Sequence, residues 1–361
     1  MKSLKNFRNK KIIVTGHTGF KGSWLSLWLQ KSGAKVIGLS NDIPSKPSHF
    51  EATKLRKKII HKNVDIRNLK LLKKIFKQYQ PDYVFHLAAQ ALVKKSYTNP
   101  IYTWKTNTIG TLNILECLRD VKKKCVAILI TSDKSYKNLE IKRGYKEDDI
   151  LGGKDPYSAS KASAELVIQS YINSFFPLKK TKVLISVARA GNVIGGGDWS
   201  EDRLIPDCVK SWSKNKKVFI RNPSSTRPWQ HVLEPIWGYL LLAQNLKKNR
   251  KLHGESFNFG PSNTNNYNVL FLVKLMKKHW KKISWKIKKT SNQKFPESKL
   301  LKLNSNKAKN KLKWKSVLSI KESVRMITSW YKFYYSKLRS RSIYEISLNQ
   351  IKEYERILKK R

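Results

Sequence analysis

A chain of 361 residues, 40% of them hydrophobic, is long enough to bury a substantial core in one large or two closely joined domains. Lys and Arg number 75 against 24 Asp and Glu, a net charge of +51, yet the lysines run from Lys2 to Lys360 instead of gathering on one tail or helix face. That spread reads as a solvated surface and argues against a specific nucleic-acid partner, with a non-catalytic nucleotide- or RNA-binding protein kept as the alternative of another class. It leaves room for attraction of a small anionic substrate.

No apolar run approaches the ~18 residues of a membrane span, and no charged leader precedes an apolar stretch, so no membrane partner and a cytoplasmic location are expected. Cys117, Cys125 and Cys208 have no C-x-x-C spacing, and the seven histidines are scattered, so neither a disulfide framework nor a metal is expected.

Lys11 to Gly33, KIIVTGHTGFKGSWLSLWLQKSG, reads as a buried strand, a glycine turn and an apolar helix. In that context Gly16 permits the tight turn, Gly19 lets backbone N–H groups approach a pyrophosphate at the helix N-terminus, and Gly22 lets helix and strand pack closely. A dinucleotide cofactor follows. The spacing is G-x-x-G-x-x-G, the variant of short-chain dehydrogenase/reductases. KVIGLS, Lys35 to Ser40, is a second strand. Asp42 beyond it favours the ribose of NAD, while Lys21 in the glycine loop keeps NADP open. The third strand ends at Val64-Asp65-Ile66. There Asp65 either meets an adenine amino group or caps the helix that starts near Asn68.

PDYVFHLAAQ, Pro81 to Gln90, is the fourth strand, and the small Ala88 and Ala89 let a cofactor pass close to the backbone. A helical stretch from Pro100 to Arg119 carries Asn107. CVAILITS, Cys125 to Ser132, is apolar and β-branched without alternation, which suits a strand buried on both faces of a parallel sheet. Its carboxyl end delivers Ser132, Asp133 and Lys134 to the rim where open α/β sheets bind ligands. In YSASK, Tyr157 and Lys161 are four apart and stack on one helix face, where an ammonium favours the phenolate of a general base. KVLISVARAGNVIGGG, Lys182 to Gly197, adds another strand. The βαβα rhythm gives an α/β fold, a Rossmann-type doubly wound parallel sheet.

Beyond Gly197 the rhythm breaks into loops, one short strand, and helices near Glu234–Leu246 and Asn268–Lys282. The expected organisation is a cofactor domain over 9–192, its sheet open to completion by later segments, and a smaller substrate-binding domain over 193–330. A basic helical tail, 331–361, is packed or dangling.

The motifs VTGHTGFKGSWLSLWL, HLAAQALVKKSY, TSDKSY, YSASKASAE, ARAGNVIGGGDWSEDRLIPD and RPWQHVLEP resemble the extended short-chain dehydrogenase/reductases and, within them, the sugar-nucleotide 4,6-dehydratases. The resemblance runs from about Asn9 to Trp330. Lys134 stands where the dTDP-glucose and GDP-mannose enzymes carry glutamate, so a CDP-sugar is the implied substrate. The resemblance further implies NAD, held by Gly16, Gly19, Phe20, Gly22, Asp42, Asp65, Ile66, Leu87, Ala88, Ala89, Asn107, Tyr157 and Lys161. Ser132, Asp133, Lys134, Tyr157 and Lys161 become the catalytic set. Asn192, Arg203 and Arg227 become nucleotide-diphosphate contacts, with Arg189 structural or near the cofactor pyrophosphate. A homodimer through Pro100–Arg119 and Pro156–Tyr171 is implied as well.

Overall fold

The computed structural model describes residues 4–201, 203–220, 222–261, 266–287, 301–336 and 340–361. Part of the expected substrate domain, 288–300, lies outside the described residues. Seven strands form one parallel sheet: β1 (Lys11–Thr15), β2 (Lys35–Ser40), β3 (Ile60–Asn63), β4 (Tyr83–His86), β5 (Cys125–Ile130), β6 (Val183–Ala190) and β7 (Ser256–Phe259). Their order is β7-β6-β5-β4-β1-β2-β3. The chain therefore winds one way from β1 to β3, returns to lay β4 against β1, and winds the other way. The crevice beyond the carboxyl ends of β1 and β4 is where such a sheet binds ligands.

Unalternating strands follow from burial on both sides. Ile13, Ile37, Val84, Ala127 and Ile185 face one core, together with α2 (Leu69–Tyr79), α3 (Gly110–Arg119) and α4 (Pro156–Phe175). Ile12, Val14, Phe85, Ile128 and Leu184 face the other, which holds α1 (Phe20–Lys31) and α6 (Leu233–Lys248). Each fully buried Ile, Leu, Val or Phe contributes roughly 1.5–3 kcal/mol of transfer free energy, so the two cores dominate folding.

The helical stretch predicted from Pro100 is continuous with α3 through a π turn at Lys105–Ile109, which places Asn107 in the wider turn. The helix predicted to reach Lys282 stops at Lys277 in the structure, where it is α7 (Val269–Lys277). After residue 197 the chain supplies α5 (Leu204–Ser213) and short strand pairs. It then gives β7 back to the sheet. The boundary expected at 330–331 falls inside α8 (Ile320–Tyr334), because Trp330 and Tyr331 are both buried core residues.

The final helix, α9 (Ile343–Lys360), is packed. Trp28 Nε1 of α1 donates to Glu355 at 2.9 Å, Lys31 Nζ pairs with the same carboxylate at 2.7 Å, and Tyr354 donates to Glu234 of α6 at 2.8 Å. The basic tail is thus a brace across the glycine-loop helix.

Candidate active site

The glycine turn is forced by close approach. Gly16 has a φ of +72°, and a Cβ there would lie 2.7 Å from the Ala88 nitrogen, so the turn presses on the Leu87–Ala88 backbone. A Cβ on Gly22 would lie 2.0 Å from the Gly16 carbonyl oxygen, which is the close packing expected of the third glycine. Gly19 is the N-cap of α1 and offers no side-chain cap to the helix N–H groups. Uncapped donors beside a residue without a side chain fit a phosphate-bearing cofactor. Phe20 begins the helix with its ring against the loop at Gly195.

At the outer half of the rim the expected contacts divide. Asp42 is exposed, and its carbonyl accepts a hydrogen bond from Thr18 at 2.6 Å. Asp65 is held by Arg67, whose guanidinium keeps the carboxyl below its usual range, and Asn68, not Asp65, caps α2. Ile66 is buried against Gly110, with its carbonyl taken by Asn113 at 2.9 Å. The Asn107 amide is spent within the protein. It joins Gln90 (2.8 and 3.1 Å) to Ser160 of α4 (2.9 Å), so it rivets the segment after β4 to the helix that bears Tyr157.

The inner half gathers the chemistry. An Asp155 capping box starts α4, with Tyr157 N and Ser158 N both 3.0 Å from Asp155 Oδ1, and sets the first turn that bears Tyr157. The Tyr157 phenol is buried against Ser132, Asp133 and Arg203. Burial raises its pKa and the Ser132 hydroxyl pulls the other way. Lys161 is buried too and is pushed down to about 8 by burial and by Lys21. The expectation that Lys161 brings the phenol toward neutrality is therefore not met by the protein alone, because both groups have lost water. Burial raises Asp133 above the carboxylate range, against the pull of Lys134, Ser132 and Lys21, which suits a proton donor. Ser132 Oγ donates to Asp133 Oδ1 at 3.0 Å, and Lys134 stands half-buried beside them.

Lys21, read from sequence as a cofactor-phosphate discriminator, lies near Asp133, Lys161 and Arg203. It is pushed down to about 8 by burial and by Arg203, with Asp133 opposing. Arg203 reaches this cluster while paired to Asp198 at 2.9 Å. Asn192 is exposed and follows Gly191, where a Cβ would lie 2.7 Å from Asp133 Oδ2. Arg227 sits on the short strand Thr226–Pro228 and donates to the Thr226 carbonyl at 2.9 Å. Arg189 is structural: it forms a bidentate pair with Glu165 in the interior. Sequence reasoning missed Glu165, although its position four residues after Lys161 continues the Tyr157–Lys161 stripe.

A family model described as GDP-mannose 4,6 dehydratase matches residues 13–327. The chain belongs to the GDP-mannose 4,6-dehydratase family. Within the family's range, a CDP-glucose 4,6-dehydratase of Salmonella typhimurium is 43% identical over 356 residues, covering 97% of this chain and 98% of that protein. Among solved structures, an epimerase from Methanothermobacter thermautotrophicus is 25% identical with a TM-score of 0.79, covering 92% of this chain and 95% of that one. A dTDP-glucose 4,6-dehydratase from Bacillus anthracis in complex with NAD shares the fold at 21% identity and a TM-score of 0.72, covering 90% and 96%. The family assignment thus joins a seven-stranded parallel sheet to a Tyr/Lys rim cluster, both already visible in the geometry.

Proposed function

We propose that the chain is an NAD-dependent CDP-glucose 4,6-dehydratase, a hydro-lyase that converts CDP-glucose to CDP-4-dehydro-6-deoxy-glucose and water. One observation carries the reading. A buried acid, Asp133, and an amine, Lys134, stand together at the rim that bears Tyr157 and Lys161, in a chain 43% identical to a CDP-glucose 4,6-dehydratase over 97% of its length. An epimerase needs the Tyr/Lys pair but has no water to eliminate, so the adjacent acid and amine favour the dehydratase.

Bound NAD supplies a hydride acceptor, then a donor, and brings positive charge beside a phenol whose own surroundings hold its proton. Gly16, Gly19, Phe20, Gly22, Asp42, Asp65, Leu87, Ala88 and Ala89 line the path for it. Tyr157 takes the proton of the C4 hydroxyl, with Ser132 polarising the C4 oxygen. The resulting carbonyl acidifies C5–H, which Lys134 removes, while protonated Asp133 donates to the departing C6 hydroxyl. Arg203 is the best-placed contact for the diphosphate, since it already faces Tyr157.

Among the described residues no helix is long and apolar enough to cross a membrane. A cytoplasmic enzyme of deoxysugar biosynthesis, such as that of lipopolysaccharide O-antigen, fits this chemistry. A homodimer through the helices around Pro100–Arg119 and α4 is supported by their exposed apolar side chains, Ile101 at 68% and Leu166 at 57% among them. Incubating the purified protein with CDP-, dTDP-, UDP- and GDP-glucose and NAD tests the reading by mass. Loss of water from CDP-glucose ahead of the others is expected, and no loss from any of the four sinks it.

A further inference from the structure

We infer that the buried Glu165–Arg189 pair is a positioning device for the elimination half of the reaction, locking the loop of Asp133 and Lys134 to the helix of Tyr157. The inference rests on the dehydratase reading above.

Tyr157, Lys161 and Glu165 follow one another at intervals of four along α4, so one stripe of the helix presents base, ammonium and carboxylate in successive turns. The first two reach the oxidation site. The third turns to the 131–136 segment, which has no long element of its own, only a short 3-10 turn at Asp133–Ser135. Thr131 Oγ1 donates to Glu165 Oε1 at 2.6 Å, and the Ser135 hydroxyl lies 3.0 Å from the same oxygen. Arg189 Nε on β6 approaches Oε1 and Oε2 at 2.8 and 2.9 Å. Its other arm donates to the Tyr136 hydroxyl at 2.6 Å and to the Glu147 carbonyl at 2.9 Å, and Tyr136 in turn donates to Asn258 of β7 at 2.8 Å.

The segment is thus gripped at 131, 135 and 136, on both sides of Ser132, Asp133 and Lys134. Burial opposes the charge on Arg189, but Glu165 more than offsets it and raises the guanidinium above its ordinary value. Both side chains are essentially unexposed, at 1% and 0%. A group reaching substrate from a loop needs its support fixed to about half an ångström, and misplacement by ~1 Å can cost on the order of 100-fold in rate. The backbone turn that bears Tyr157 is set separately by the Asp155 cap, and its phenol meets the gripped segment at Ser132.

The test uses the full chain with NAD and CDP-glucose in single-turnover mixing. Wild type comes first: if it releases no water from CDP-glucose, the dehydratase reading fails, whatever the variants do. Thr131→Val and Ser135→Ala then each remove one hydroxyl from Glu165 without breaking the ion pair, and Glu165→Gln and Arg189→Lys weaken the pair itself. In the two hydroxyl variants, provided they keep the wild-type circular dichroism, the appearance of reduced cofactor should fall by no more than about 3-fold, whereas Glu165→Gln also removes a charge beside Lys161 and is expected to slow both phases. In the hydroxyl variants the decay of reduced cofactor, and exchange of the C5 proton with solvent deuterium, should fall ~10- to 100-fold with little change in KM. A role in general stability alone would scale both phases together. If oxidation and elimination fall by the same factor in the two hydroxyl variants, or if neither falls, the inference is overturned. Those variants decide it even if Glu165→Gln fails to fold.

Discussion

The helix that begins at Pro156 and the segment from Thr131 to Tyr136 meet at one site, yet they hold their side chains in opposite ways. Tyr157 and Lys161 ride on regular backbone, where a spacing of four guarantees a shared face and a local capping box sets the first turn. Asp133 and Lys134 stand on a single tight turn, and their support comes from Glu165, Arg189 and Asn258, which are remote in sequence. The contrast teaches that one site can hold its side chains with two different tolerances to disturbance. The Tyr157–Lys161 stripe rests on regular helix, the turn of Asp133 and Lys134 on a scaffold of side chains.

The largest effect should come from the helix side. Tyr157→Phe removes the proton acceptor while leaving the fold and the cofactor site, and loss of a positioned general base costs ~100- to 10,000-fold. Stopped-flow absorbance of the reduced cofactor should then show no first phase, and near-normal turnover would undo the assignment. Lys134→Met separates the two regions, since C4 oxidation proceeds while C5–H keeps its proton. Reduced cofactor should accumulate and persist, with product formation down ~100-fold or more. Normal C5 exchange in that variant would move Lys134 from base to a binding role.

A subtler disturbance is available at Gly191, whose missing side chain leaves space for the Asp133 carboxyl. Gly191→Ala sets a methyl 2.7 Å from Asp133 Oδ2 before relaxation, so the acid must shift. Elimination should slow by ~10-fold with oxidation nearly unchanged, the sub-ångström form of the misplacement penalty. Equal slowing of both steps would show that the strain spreads to Tyr157.

The mildest probe is pH. Burial raises both Tyr157 and Asp133, but their working forms differ: the phenol acts once deprotonated, the carboxyl while protonated. Oxidation should therefore rise with pH, by at most ~10-fold per unit, until Lys161 loses its charge at about 8, whereas elimination should fall on the alkaline side as Asp133 ionises. Superimposable profiles for the two phases would break the comparison.

The helix-borne half of this site was legible from the chain because periodicity is local. The glycines at 16, 19 and 22, the unalternating run before Ser132 and the Tyr157–Lys161 pair each carry their meaning within a few residues. Asn107 and Lys21 were found, but the partners they take within the protein were not, since a composition of neighbours does not tell which way a side chain faces. Asn107 turned inward to rivet Gln90 to Ser160, and Lys21 turned to Asp133 and Arg203. The Glu165–Arg189 pair was invisible for another reason: its partners lie 24 residues apart and meet only when β6 lies beside β5. Likewise β7 could not be assigned to the sheet from its four residues alone.

The brace formed by the last helix has a consequence for how the protein is made. Trp28 emerges during synthesis 327 residues before Glu355, the acceptor of its indole N–H. Until then the face of α1 that bears Trp28 and Lys31 lacks its cover, even after α6 and β7 have completed the sheet and its core. A ribosome-bound chain cut short before α9 should thus keep an apolar surface available to chaperones, and maturation should await the synthesis of α9.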